Sequence, residues 1–239
     1  MRSIRFSYGP MLTFSTTISK WYKLFPGIRP KGSTLRLLFF FPIWRELLFG
    51  IGGTSASSKA LTKLMTQSND PNDESNRDGF TANAVALIVG GAEEAFYTRA
   101  NLYRFVLKNR RGFAKIALKT GASLVPSISF GENNVFDLIE FQPGSFGRWL
   151  QNMIKRYIKL APILFNGRGF FQYNFGLIPK RHPLNVVIGA PIHVKKIVEP
   201  TKDDIDELHK LFCVELEKLF ETHKSKYVEN SENVHIEII

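Results

Sequence analysis

KNRRGFAKIALKTGASLVPSISFGE, residues Lys108 to Glu132, is the stretch on which the reading of this chain turns. Phe113, Ile116 and Ala117 recur at helical spacing and Gly121 is a natural helix stop, so a short helix is expected there. Leu124 to Phe130 reads as a buried strand broken by Pro126, and Phe130-Gly131-Glu132 as a sharp exit that carries a carboxylate. Arg110, Arg111 and Lys115 place three cations within six residues at the front of the helix. Arg and Lys match phosphate oxygens by charge and geometry, so a basic helix beside a strand end can seat an anionic head group. On spacing alone, an ordinary amphipathic helix with a solvated basic face is the stronger reading.

Charge supports an anionic partner at a coarser level. The 239 residues carry a formal charge of +11, and residues 99–182 hold 14 Lys/Arg against 3 Asp/Glu. Residues 1–69 add 10 basic and 1 acidic residue, whereas 70–98 and 183–239 are net acidic. Phospholipid, acyl-CoA and nucleic acid would all answer to such a distribution. Nucleic acid is set aside, because no zinc spacing, RNP motif or DNA-reading basic helix accompanies the charge. No metal site is expected either.

Apolar content of 44% with 21 Phe fits a packed core, and the length suits one domain over 1–239. Cys213, the one cysteine, reads as a packing residue rather than a nucleophile. The most apolar run, Leu35 to Gly53, is interrupted by Pro42, Arg45 and Glu46 and does not span a bilayer by itself. Two readings stay open for it: shallow insertion into lipid through Phe39, Phe40, Phe41 and Trp44, or a buried core helix.

Along the rest of the chain, Thr16 to Leu24 is expected to form a short helix before a Pro/Gly turn at Phe25–Pro30. Serines 55, 57 and 58 offer caps to a helix through Ala60–Met65. Residues 67–81 read as a polar surface loop and Ala84–Val89 as a buried strand that runs into Gly90-Gly91-Ala92-Glu93-Glu94. Ser145–Leu160 reads as a second basic amphipathic helix, and Pro162–Phe165 as a strand leading to Asn166-Gly167-Arg168-Gly169. A further strand is expected at Leu184–Ile188. Thr201 and Asp204 resemble a capping box that opens a helix to about His223, burying Ile205, Leu208, Phe212, Leu216, Leu219 and Phe220. The tail, 227–239, is expected to fray, with VHIEII as a weak strand at most.

These phrases together resemble the type 2 diacylglycerol acyltransferase family, which includes monoacylglycerol and wax-alcohol acyltransferases. The family pattern R-x-G-F-x-K-x-A, G-A-x-L-V-P, F-G-E is met by Arg110, Gly112, Phe113, Lys115, Ala117, Gly121, Ala122, Leu124, Val125, Pro126, Phe130, Gly131 and Glu132. FPGIRP at 25–30, the Pro42/Arg45/Glu46/Gly52/Gly53 segment, Gly90-Gly91-x-x-Glu94, GSFGRW at 144–149 and Gly167-Arg168-Gly169 match further family phrases. Ala190 departs from the family's G-E-P-I.

The resemblance implies an α/β fold: a mixed sheet flanked by helices, like other glycerolipid acyltransferases. It implies fatty acyl transfer from acyl-CoA, a co-substrate with no further cofactor, to a mono- or diacylglycerol. The implied location is the cytosolic face of the endoplasmic reticulum membrane or a lipid-droplet surface. Glu94 would then be the motif glutamate. Gly90 and Gly91 would allow close approach, Arg110, Arg111, Lys115 and Arg168 would hold phosphate or CoA, and Glu132 would order the site.

The transfer also needs a base, and the family carries H-P-H-G upstream of its FPGIRP phrase. No histidine precedes His182 here, and His182, His193, His209, His223 and His235 suit surface or packing roles. The expectation is an N-terminally incomplete chain or an inactive paralogue that binds lipid or acyl-CoA or pairs with an intact acyltransferase.

Overall fold

The computed structural model describes residues 3–6, 21–67, 72, 79–90, 102–138, 141–142, 144–149, 153, 165–169, 172, 176 and 180–239. After β1 (Ser3–Phe6) the first described helix is α1, Trp21–Leu24. Gly27, at φ 76°, makes the expected turn, but the extended chain resumes at once as β2, Ile28–Thr34. The prolines of FPGIRP therefore flank a strand start rather than an extended loop. A 3₁₀ turn at Arg36–Phe40 leads into α2, Pro42–Gly50, whose proline occupies the first turn, where no amide partner is needed. Then follow β3 (Gly53–Ser55), α3 (Ser58–Met65) and β4 (Ala82–Ala86). Most of the expected 67–81 loop lies outside the described residues.

The quoted stretch folds as read. β5 (Tyr103–Phe105) precedes α4, Gly112–Thr120, which ends where Gly121 takes φ 75° and its amide bonds Ala117 O at 2.8 Å. A side chain at 121 would also press on Lys196 Cβ at 3.2 Å. The strand is shorter than expected: β6 is Ser127–Phe130 and begins after the buried Pro126. Short β7 (Asp137–Leu138) and β8 (Phe165–Asn166) pair with each other. Ser145 Oγ accepts from Arg148 N at 3.2 Å ahead of helical residues 146–149, and the rest of the expected 145–160 helix is outside the described residues apart from a helical 153.

β9 (Leu184–Ile188) and α5 (Lys202–Tyr227) complete the chain with β10, Ile236–Ile238. The capping box at Thr201 and Asp204 is present in both directions. The tail does not fray. β10 pairs in parallel with β5, Arg104 bonds Glu237 at 2.6 Å, and Val228 and Val234 are buried.

Helices are interspersed with strands, consistent with an α/β chain, and among the described residues no single sheet joins all the strands. Among the described residues the strands make a parallel sheet β3-β2-β4, an antiparallel sheet β1-β9-β6, and two two-stranded pairs. Pro30 stands opposite Ala84 of β4, two residues before the β3 pairing begins at Gly32, so only one strand runs past the residue that lacks an amide.

The core lies where α4 and α5 meet β5, β6 and β9. Phe113, Ala114, Ala117 and Leu118 of α4 face Leu208, Phe212, Leu216, Leu219 and Phe220 of α5, with Ile128, Phe130 and Val187 beneath. Phe130 and Phe220 are fully enclosed with rings 5.7 Å apart, and Tyr103 and Tyr227 close the cluster at 4.9–5.2 Å from one or the other. Truncating an aromatic side chain in such a core costs about 3–5 kcal/mol.

Candidate functional site

The long signature separates into residues that build the scaffold and residues left facing outward. Phe113 and Ala117 are core, Gly121 is the helix cap, and Pro126 is enclosed with its carbonyl accepting from Gly189 N at 2.8 Å. Phe130 is the centre of the aromatic cluster. Gly131 takes φ 89°, and any Cβ there would overlap the Pro183 carbonyl oxygen. So F and G of F-G-E are explained by packing and turn geometry. Arg110, Arg111, Lys115 and Glu132, the charged residues expected at the site, face outward.

These four do not act alike. Arg111 is paired with Asp206 of α5 and also donates to Lys108 O at 3.1 Å. Its guanidinium thus fastens the front of α4 to the front of α5, which qualifies the expectation that it is an anion ligand. Arg110 lines a recess of about 370 Å³ with Val106, Asn109 and Ile239. Lys115 is exposed on the outer face of α4. Glu132 is exposed at the first position of a 3₁₀ turn, Glu132–Asn134.

The Glu132 turn meets two other motif segments. Asp137 and Leu138, just past it, pair with Asn166 and Phe165, at the entrance to Gly167-Arg168-Gly169. That loop closes on itself: Gly167 N bonds Gly176 O, and Gly169 N bonds Gln172 O, each at 2.7 Å. Gly176, at φ 156°, passes so close to Arg168 that a Cβ would overlap its carbonyl. On the other side Lys180 N bonds Val135 O at 2.8 Å, and His182 Nε2 lies 3.5 Å from Asn134 Nδ2. The structure therefore gathers Glu132, the Arg168 loop and the basic segment Lys180–His182. The tie from Arg111 runs instead to the C-terminal helix.

His182 is a residue whose place sequence reasoning missed. Nothing local signals it, because the turn it touches lies about fifty positions earlier. Its Nδ1 is 3.3 Å from Pro183 O, and no carboxylate pairs with it among the described residues. The other four are held elsewhere. His209 is buried with Nε2 2.9 Å from Leu107 O, His223 bonds Leu219 O, His193 meets Ser123, and His235 faces Glu221. Near the turn, burial pushes the Tyr103 phenol above its ordinary value, partly offset by a hydrogen bond with the Gly131 backbone.

Gly90 is buried just past β4, and Ser33 Oγ on β2 donates to Ala86 O at 2.7 Å, tying the carboxyl ends of the two strands. A ligand site beyond the carboxyl ends of parallel strands is a common arrangement in α/β proteins. Gly91 and Glu94 lie outside the described residues. Among the described residues no cluster of His, Cys, Asp and Glu could hold a metal ion, and no helix is long and apolar enough to cross a membrane.

Comparison with known proteins follows the same motifs. A family profile described as diacylglycerol acyltransferase matches residues 4–238. The chain is 39% identical over 220 residues to mouse diacylglycerol O-acyltransferase 2, covering 92% of this chain and 54% of that protein. It is 37% identical over 219 residues to human 2-acylglycerol O-acyltransferase 1, covering 92% of this chain and 62% of the relative. The chain thus spans a little over half the length of these relatives. No solved structure matches it.

Proposed function

The chain belongs to the diacylglycerol acyltransferase family, and from that premise we propose that it binds acyl-CoA and a mono- or diacylglycerol for fatty acyl transfer at the cytosolic face of the endoplasmic reticulum. The observation that carries the reading is the family match over residues 4–238, a span that contains the motif phrases quoted above. In the transfer the acylglycerol oxygen forms a new bond to the acyl carbon, the thioester C–S bond breaks, and a base takes the hydroxyl proton and passes it to the departing CoA thiolate. Gly90, Gly91 and Glu94 sit at the reacting centre in this reading. Arg110, Lys115 and Arg168 meet phosphate or CoA, and Glu132 orders the turn between β6 and the Arg168 loop.

No histidine stands before His182 in these 239 residues, and none of the five histidines has an Asp five positions later. We therefore expect the chain by itself to bind without turning over, since a positioned base typically contributes ~10²–10⁴-fold.

The test uses the purified chain with labelled acyl-CoA and mono- or diacylglycerol. The expected result is acyl-CoA binding by calorimetry with product at background. A family N-terminal segment ending in H-P-H-G, grafted ahead of Tyr8, should bring turnover, and Glu94→Gln in the graft should reduce it. Absence of acyl-CoA binding would overturn the reading, and turnover by the ungrafted chain would overturn the missing base.

A further inference from the structure

Among the described residues, the helix α2 and the 3₁₀ turn before it are fastened to the fold by little. Leu48 is buried, and its carbonyl lies 2.8 Å from where a Cβ at Gly53 would stand, which ties the helix to the start of β3. Other large apolar side chains of the segment point outward: Phe40 is 70% and Ile43 86% exposed, and Leu37, Phe41, Leu47 and Phe49 are also exposed. Ile43 and Leu47 are one helical turn apart and share a face. Phe39 and Phe49 approach to 5.5 Å, so turn and helix form one apolar ridge rather than two loose segments.

The position of this ridge is as informative as its composition. β2 and β4 are parallel, so their carboxyl ends lie at one edge of the β3-β2-β4 sheet. The chain leaves β2 at Leu35 directly into the ridge, and leaves β4 toward buried Gly90 from that same edge. The ridge and the first glycine of the Gly90–Glu94 motif are thus neighbours by topology.

Charge selects what covers the ridge. Residues 1–69 carry 10 Lys/Arg and 1 acidic residue, and that residue, Glu46, is already bonded by Arg45 at 2.8 and 3.0 Å. Exposed Arg36 opens the 3₁₀ turn between exposed Leu35 and Leu37. An outward apolar ridge in so basic a stretch suits a lipid surface with anionic phosphates, the apolar atoms entering the acyl boundary and the cations remaining among the head groups. A nine-residue helix is far too short to cross a bilayer, so it lies in the plane.

We propose that residues 35–50 dock this protein on an anionic lipid surface and set the carboxyl edge of the parallel sheet against it, so that the acylglycerol enters the site from the lipid itself. The delivery of substrate rests on the acyltransferase reading above, whereas the docking surface stands on the ridge alone.

Vesicle flotation of the full chain tests it, with phosphatidylcholine vesicles containing phosphatidylserine. The chain should float, and Ile43→Asp with Leu47→Asp should lower its partition by roughly tenfold or more for each side chain withdrawn from lipid. Both positions are exposed, so the melting temperature should hold. If that pair unfolds the chain, Phe40→Ser with Phe41→Ser in the preceding turn is the substitute, with the same expected loss.

Acyl-CoA binding measured without vesicles separates the two claims. A variant that floats like the parent while the parent binds acyl-CoA overturns the docking surface and leaves the acyltransferase reading in place. Lost flotation in a chain that takes no acyl-CoA supports the surface and removes the delivery role. A change of association state in sedimentation, with vesicle binding unchanged, would make the ridge a contact between copies of the chain and overturn the proposal.

Discussion

Arg111 and Asp206, 95 positions apart, form an ion pair that joins the start of α4 to the start of α5. One of the three cations in the signature run thus has a scaffold partner within the fold, and the three can be told apart by substitution. Arg111→Gln should then lower stability by about 0–1 kcal/mol, the range of exposed pairs, with little change in acyl-CoA affinity. Arg110→Gln with Lys115→Gln should do the reverse, weakening acyl-CoA binding while the melting temperature holds. Calorimetry beside thermal melting reads both, and equal affinity in both variants would return the whole run to a solvated helix face.

Gly131 is required twice, by its φ of 89° and by the Pro183 carbonyl where a Cβ would go. Gly131→Ala should destabilise by about 3 kcal/mol or more, combining left-handed strain with an overlap against backbone that cannot swing aside. Urea unfolding measures it. A loss under about 1 kcal/mol would show that the turn can open, and that its geometry is not what positions Glu132.

The capping box gives a pH dependence with a definite sign. Asp204 accepts from Thr201 N at 2.8 Å and Thr201 Oγ1 at 2.6 Å, which holds its carboxyl below the ordinary range. A carboxylate whose pKa is lowered on folding contributes stability above its unfolded value, near 4, and loses it as pH falls through the folded value. Thr201→Ala should cost about 1 kcal/mol at neutral pH through the lost cap. It should also flatten the decline in melting temperature on the acid side of about pH 4. A parallel acid limb in parent and variant would assign that limb to other carboxylates.

Cys213 should be inert. Burial raises its thiol above the ordinary value, Glu217 adds to this, and Arg111 opposes it, so little thiolate is present at neutral pH. Alkylation by iodoacetamide should be slow in the folded chain and speed up on unfolding in denaturant. Rapid native modification would reopen a nucleophilic role for this residue.

What the sequence alone determined is local in origin. α4 and its glycine stop, the capping box and the burial of Phe212, Leu216 and Phe220 on α5 follow from periodicity and from single residues that bias the backbone within a few positions. The family was legible for a related reason. Phe113, Gly121, Pro126, Phe130 and Gly131 each answer to a packing or turn demand, and together they make a spaced pattern that few other folds would produce.

Tertiary structure decided what depends on distant partners. Nothing in the sequence signals that Asp206 is brought beside Arg111, and His182 reads as a surface loop residue until the approach to β9 carries it to the Asn134 turn. The final residues read as a fraying tail because a two-residue apolar alternation cannot announce that β5 has an open edge for them. The segment 35–50 is apolar enough for either a core helix or a lipid-facing one. Hydropathy measures a preference to leave water, and only the packing shows that Leu48 is buried while Phe40, Ile43, Leu47 and Phe49 are turned away from the core.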